Sequence, residues 1–399
     1  MGKALLIIVT GFTTIVSGVL FHITSNQQLS AAKLSSLYNQ WLIQNSKESA
    51  SNAATSRLYQ NLNYRVDSLY YNVGGVDCVV KITDIAVDSV REAKKILVRT
   101  VVNYADQSDT TFAIYQQPAY SYYYFFSKDW PLHIVYATGD TIMNRIHSNE
   151  RFQITGTPVF MDKVTCKMGN YSDLGGADPK FLNSAEFGAT AIALPNLTAL
   201  KDTALAGGVT YPDELWLTFN ADGSYKCSTN VITEIRNLAD VGFNGTIMTT
   251  NKKNLHVKGV VNGQVTIISD EHLYIEDDLV YNSDPRIVAN STDFVGLICD
   301  KNIIVADNAE TSAGVEIHAA ILAKELVTVE NYNIGAPRGT LTILGSIVQK
   351  SSLPFGTYDG FGTLLTGYNL VHVYDRRLFD RTPPYFPRYD RIELVYRMD

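Results

Sequence analysis

The sequence is poor in the residues that usually announce local chemistry. Its four cysteines, Cys78, Cys166, Cys227 and Cys299, are widely spaced. None forms a C-x-x-C, which excludes zinc ribbons and thioredoxin-like redox motifs. In an exported body a Cys166–Cys227 disulfide is allowed, and buried free thiols suit the hydrophobic neighbours at least as well. Charged residues make up only 18% of the 399, with a net charge of −7. Nucleic-acid binding draws most of its affinity from a basic face, so that partner is not expected. There is no GxxxxGK[ST], no clean GxGxxG and no GxSxG. The seven histidines form no HxH, HxxxH or HExxH, so no local zinc site is signalled. Catalytic residues, metals and cofactors are therefore expected to be none, and the chain is read as a non-enzyme.

Two further absences shape the N-terminus. The first proline is Pro118, and no glycine lies between Gly18 and Gly74. Nothing breaks a helix from Lys3 to about Leu62. Ala4–Ile23 carries no Asp, Glu, Lys or Arg, and such a helix spans roughly 30 Å, the hydrocarbon thickness of a bilayer. A membrane anchor is expected, with a cleaved secretory signal as the alternative. Gly11, Thr14 and Gly18 share one face, which lets another helix approach closely. Leu34, Leu37, Tyr38 and Trp41, then Ala50, Ala54, Leu58 and Leu62, continue an amphipathic stripe. A break near 25–28 or 44–49 is allowed.

Beyond the helix, Cys78–Thr83, Lys95–Val102 and Thr110–Tyr115 read as strands, with Gly74-Gly75 turning into the first and 106–109 turning into the third. The apolar stripe needs a sheet to cover it, so a helix packed on an antiparallel meander is expected. The aromatic run YSYYYFFSKDW at 120–130 reads as a strand at a core or subunit interface. A sugar- or base-stacking platform is the alternative. Residues 169–215 read as a less regular insertion, with a helix around 194–205. From Leu255 to Ile347, strands of three to five residues alternate with corners such as Asp277-Asp278 and 300–302. Their spacing suits a parallel β-solenoid, with a β-sandwich as the rival. The tail 374–399 reads as an extended segment laced with surface ion pairs and ending in a strand at 392–396.

The fold class is thus α+β, mainly β. The expected divisions are 1–63 helix, 64–120 sheet, 121–255 irregular β with an insertion, 256–350 solenoid-like and 351–399 extended. Among weaker features, His318 in VEIHAAIL reads as a structural strand residue and His147 in RIHSNE as a candidate polar group. Asp270-Glu271 and Glu276-Asp277-Asp278 read as solvated corners. The alternatives for these carboxylates are acid/base work of the kind used by polysaccharide-cleaving enzymes, or a calcium ion bridging 276–278.

The N-terminal third, with its hydrophobic helix, its extension ESASNAATSRLYQNL and its Gly-Gly turn into a sheet, resembles type IV pilin-like proteins of the minor pilin or pseudopilin kind. That resemblance implies processing at Gly2-Lys3, although the leader is short and Ile7 replaces the usual fifth-position glutamate. The remainder looks like an uncharacterised bacterial envelope domain, through IHSNERFQITGTPVF, VEIHAAILA, PRGTLTILGSIVQ and YDRRLFDRTPPYFP. The function implied is a structural subunit of a surface filament, held in the inner membrane before assembly and then displayed at the cell surface. It would associate with copies of itself or with related subunits through Gly11, Thr14, Gly18, Leu34, Leu37 and Trp41. A membrane-anchored adhesin-like module is the alternative, followed by a β-helix carbohydrate-active enzyme.

Overall fold

The computed structural model describes residues 2–360 and 362–398, with N-terminal side chains described from Phe12 onward. The chain is mainly β, 44% strand and 18% helix, with one long helix packed on a sheet. It divides into two compact units. The first comprises residues up to Ala86, Lys95–Gln116 and those from Arg391; the second comprises Val87–Lys94 and Gln117–Asp390.

In the first unit α1 runs unbroken over Gly2–Gln60, about 90 Å. Neither allowed break occurs, because neither stretch holds a proline or glycine, and the polar side chains there bond to carbonyls of the preceding turn without interrupting it. Ser30 Oγ donates to the Asn26 carbonyl at 2.8 Å, and Asn45 Nδ2 to that of Trp41 at 2.9 Å. Strands β1 (Val66–Val73), β2 (Val76–Ile85), β3 (Lys94–Tyr104) and β4 (Gln107–Gln117) lie side by side in chain order, and Glu393–Met398 adds beyond β4. The pairing of β1 with β2, of β2 with β3 and of the last strand with β4 is antiparallel. Gly74 and Gly75 take φ of 61° and 86°, and Ala105 and Asp106 take 48° and 64°. Left-handed residues at both turn centres match the twist of the strands they join.

Ala50, Ala54 and Leu58, spaced one helical turn apart, are fully buried and pack with Val80, Ile82 and Val98 of the sheet. The small alanines let the helix axis come close. Lys47 is 2% exposed, with its ammonium 2.7 Å from the Asp109 carboxylate. A buried cation is tolerated because it is paired.

The second unit is built from parallel ladders. One register row passes through Val209, Ile247, Ile267, Leu297, Ile321 and Ile347, then Phe125, Ile146, Val164 and Ala185. A second row holds Leu215, Leu255, Leu273 and Ile303. A third holds Leu279, Ile317, Ile343 and His372. The three rows enclose a continuous aliphatic core.

The first wall is buried on its outer face as well. Met248, Ile268, Ile298, Leu322, Val348 and Phe126 pack against α2 (Thr198–Gly207), residues 119–123 and the segment 378–389. This explains why Phe294–Cys299 is buried at every position: a strand covered on both faces loses its polar alternation.

Several sequence expectations change. Asp277 and Asp278 stand at a corner, as expected, although the strand Leu273–Tyr281 runs through it: Leu273–Ile275 pair with Ile303–Val305 in the second row and Leu279 pairs with Ile317 in the third, with a register shift between them. Residues 120–130 are not one strand: Tyr120–Tyr122 form a 3-10 turn and only Phe125–Ser127 is extended. Tyr120, Tyr122, Tyr123 and Phe126 are buried. Residues 169–215 contain Ser172–Asp173, Lys180–Phe181 and Ala185–Phe187, each paired parallel to an earlier strand. In the tail, Asp375 is buried and chelates the Arg377 guanidinium, which lies 4.2 Å from the Phe294 ring centroid. That pair is interior, since the Asp/Arg-rich tail covers a hydrophobic wall. All four cysteines are buried and free.

Candidate functional site

The helix changes character near Ile43, which is buried while the described residues before it are nearly all exposed. Among these, Phe12, Ile15, Val16, Val19, Leu20 and Ile23 share one broad face of the helix and Phe21 stands on the opposite side, all of them exposed. Further along, Leu34, Leu37 and Trp41 are 68%, 62% and 60% exposed and keep to one stripe. Tyr38 stacks on Trp41 with ring centroids 6.0 Å apart. From Phe12 to Trp41 the sequence carries one formal charge, Lys33. The result is about 45 Å of helix whose apolar side chains are left largely uncovered by the described residues. Exposed apolar surface on this scale marks an interaction site.

Among the described residues no helix is long and apolar enough to cross a membrane. The expected span Ala4–Ile23 begins among side chains outside the described part, so only Phe12–Ile23 is placed. Of the residues expected to form an assembly face, Thr14 and Gly18 stand on the exposed helix, and a Cβ added at Gly18 would meet nothing within 4 Å. Gly2, Lys3 and Gly11 belong to the described helix, but their side-chain surroundings lie outside the described part.

Two clusters on the body bring titratable groups together. Asp284, Glu316 and His318 place one ligand-type atom each within 4.8 Å of one another. The guanidinium of Arg286 already sits between the carboxylates, with Nη2 2.5 Å from both Asp284 Oδ2 and Glu316 Oε1. His318 Nδ1 accepts from the Tyr281 N–H at 3.0 Å, and its Nε2 lies 2.8 Å from Glu316 Oε1. The Arg286 hydrogen bonds hold Asp284 below the usual carboxylate range. At Glu316 burial pushes upward, but bonds from His318 and Arg286 overcome it and hold this carboxyl low too. An arginine fills the place a metal ion would take, so the cluster is a closed ion network.

The second cluster is a ladder on the outer face of the second row. Trp216, His256 and Tyr274 are in register, with centroid spacings of 4.8 and 4.9 Å. His256 Nδ1 is 2.6 Å from Glu276 Oε1, and Nε2 is 3.1 Å from Glu214 Oε1. Both ring nitrogens are engaged, which leaves none for a reacting group. Sequence reasoning missed this assembly because its members are brought together only by parallel register. His147 is also enclosed, with Nδ1 2.7 Å from Thr165 Oγ1, Nε2 3.0 Å from Asn149 Oδ1 and its ring stacked on Phe126. Asp278 is engaged in the backbone, where Oδ1 accepts from the Glu316 N–H at 2.7 Å. Asp270 is tied with Asp300 to Lys201, away from the 276–278 carboxylates.

No protein-family model matches the chain, and no curated protein matches it in sequence. Among solved structures it is similar to the competence-associated pilin ComZ from Thermus thermophilus. That likeness has a TM-score of 0.40 and 8% identity, and covers 90% of this chain and 96% of that one. A likeness at that score supplies no functional argument.

Proposed function

We propose that the chain is a pilin-like structural subunit of a bacterial surface filament or envelope assembly. The single observation that carries this reading is the division of α1. Its second half is buried on its own sheet, while its first half presents uncovered Phe, Ile, Val, Leu and Trp side chains. A helix that leaves this much apolar surface uncovered needs a bilayer or other helices against it. The inner membrane serves before assembly, and the helices of neighbouring copies or related subunits serve afterwards. Gly11, Thr14 and Gly18 form the close-approach face, and Leu34, Leu37 and Trp41 extend the contact.

The parallel body reads as a β-solenoid, because a β-sandwich is built from antiparallel strands. Its place is the filament surface. The reading assigns no cofactor, no nucleic-acid partner and no catalytic step.

The test is made on the native host. Cells are sheared, filaments are separated from membranes, and the protein's N-terminus in each fraction is determined by mass spectrometry. A filament-borne chain beginning at Lys3 is expected. A chain with intact Met1 confined to membranes overturns the filament assignment and turns attention to what the body binds.

A further inference from the structure

The stack of parallel strands in the body has two ends, and they are built differently. One end is the turn of chain 171–187. Its strands Ser172–Asp173, Lys180–Phe181 and Ala185–Phe187 pair on one side with Gln153–Ile154, Val159–Phe160 and Val164–Cys166. On the other side, among the described residues, no strand pairs with them. The N–H groups of Ser172 and Leu174 donate to the Phe152 and Ile154 carbonyls at 2.8 and 2.9 Å. Those of Lys180 and Leu182 donate to the Pro158 and Phe160 carbonyls, both at 2.9 Å. Bonding direction alternates along a strand, so Asp173 and Phe181, standing between these donors, turn their own N–H and C=O groups outward. An open edge of this kind is a template for another strand.

The middle of this end is apolar. Tyr171, Phe181 and Phe187, one from each wall, close the lumen with ring centroids 5.7 to 6.4 Å apart. They are only half-buried, whereas Phe152, Phe160 and Cys166 one layer further in are fully buried. Beside them Leu174 and Leu182 are 51% and 62% exposed. The last repeat of a stack needs a polar outer face to stay soluble, and this one presents aromatic and leucine side chains. The opposite end is closed. Leu217, Phe219 and Tyr225 there are at most 3% exposed and pack with Leu238 and Phe243. The edge of Leu215–Phe219 is taken by the hairpin of Ser224–Ser228 and Thr233–Asn237.

We propose that the end 171–187 docks on the same end of a second copy, in a pair related by a two-fold axis. Head-to-tail stacking of bodies needs two open ends, and the other end is closed, so the contact is between like faces. Inverting one end onto another sets the facing strands antiparallel, and the outward N–H and C=O groups of each copy meet acceptors and donors on the other. Charges on the rim are already paired within each copy: Lys180 with Asp178 at 2.5 Å and Lys163 with Glu186 at 2.9 Å. Two like rims therefore approach without a large uncompensated charge. The 17 residues of 171–187 come close to the roughly 20–30 that each side of a stable interface supplies. Copies with parallel helices in one filament are not related by such a two-fold axis. On the filament reading, on which this last step alone rests, the contact joins subunits of two different filaments.

The test is sedimentation velocity of the full-length chain in detergent micelles, which cover the exposed helix, together with hydrogen exchange over 171–187. A dimer is expected at micromolar concentration, with no larger species, and exchange in 171–187 should slow as the dimer fills. Leu174→Lys/Leu182→Lys places two cations per copy on the contact at exposed positions. It is expected to weaken dimerisation at least tenfold with an unchanged melting temperature. The triple replacement of Leu34, Leu37 and Trp41 by serine is expected to leave the dimer intact, which separates this contact from helix-mediated assembly. A wild-type chain that stays monomeric up to about 100 µM overturns the proposal. So does growth beyond the dimer, a dimer retained by the folded lysine variant, or a dimer lost in the serine variant. The solution dimer is read whether or not filaments form, so its failure is distinct from failure of the filament reading.

Discussion

Replacing Leu34, Leu37 and Trp41 together by serine separates assembly from folding. Fully burying one such side chain is worth about 1.5–3 kcal/mol. Each is roughly two-thirds exposed in the single chain, so a partner has about 1–2 kcal/mol per residue still to gain. The triple variant then loses about 3–6 kcal/mol per subunit contact, or roughly two to four orders of magnitude in association. The folded unit loses almost nothing, because these side chains contribute little to it. Leu58→Ala supplies the opposite case. That leucine is fully buried between helix and sheet, and its truncation costs about 2–5 kcal/mol of stability. The assay pairs filament yield in the sheared fraction with thermal melting of the purified chain. The triple variant should abolish filaments at an unchanged melting temperature, and Leu58→Ala should lower the melting temperature. Normal filament yield from the triple variant, or a melting loss as large as that of Leu58→Ala, refutes the reasoning.

Other positions give sharper tests of the body. Gly345 has φ of 151°, and a Cβ there would lie 1.8 Å from the Ala319 carbonyl oxygen, so Gly345→Ala should destabilise the body by about 3 kcal/mol or more, read from its urea midpoint. Burial pushes His372 down to about 3. The unfolded chain then binds more protons between that value and about 6.5, so stability is full above the upper limit and falls as pH drops through the window, by on the order of 1 kcal/mol per pH unit. His372→Phe, which keeps a ring against Tyr124, should flatten that slope in denaturant midpoints taken from pH 7 to 4. All four cysteines are buried, and burial pushes Cys227 up to about 11. A thiol reagent should therefore leave the native chain unmodified and titrate all four thiols only in denaturant.

The helix was legible because its causes are local. The absence of proline before Pro118 and of glycine between Gly18 and Gly74, together with the Ala50, Ala54 and Leu58 spacing, predicts both its length and the face it buries. The hairpin at Gly74-Gly75 was legible for the same reason. Strand β1 was not, because VDSLYYNV is mostly exposed or half-buried and its pattern does not stand out. The body's parallel walls were only partly legible. Strands such as Phe294–Cys299 are covered on both faces, and register neighbours stand at irregular distances along the chain. The Trp216–His256–Tyr274 ladder could not be seen at all, because the proximity of its residues is decided by parallel register.

The order of the walls also differs from the order of the chain. In the first row the run from Val209 ends at Ile347, and the neighbour beyond it is Phe125, more than two hundred positions earlier. From there Ile146, Val164 and Ala185 continue the same row. The earlier part of the chain therefore covers the open edge left by the later part. An uncovered edge strand with apolar faces invites pairing with other chains, so this closure has a purpose beyond packing. Elsewhere, Leu215–Phe219 has its second edge covered by the antiparallel hairpin of Ser224–Ser228 and Thr233–Asn237. The strand Val164–Cys166, which a sequence reading assigns to a separate region, thus belongs to the same ladder as Ile321 and Ile347. Residues 125–187 and 209–373 should therefore unfold in one transition, because removing either run exposes an edge of the other.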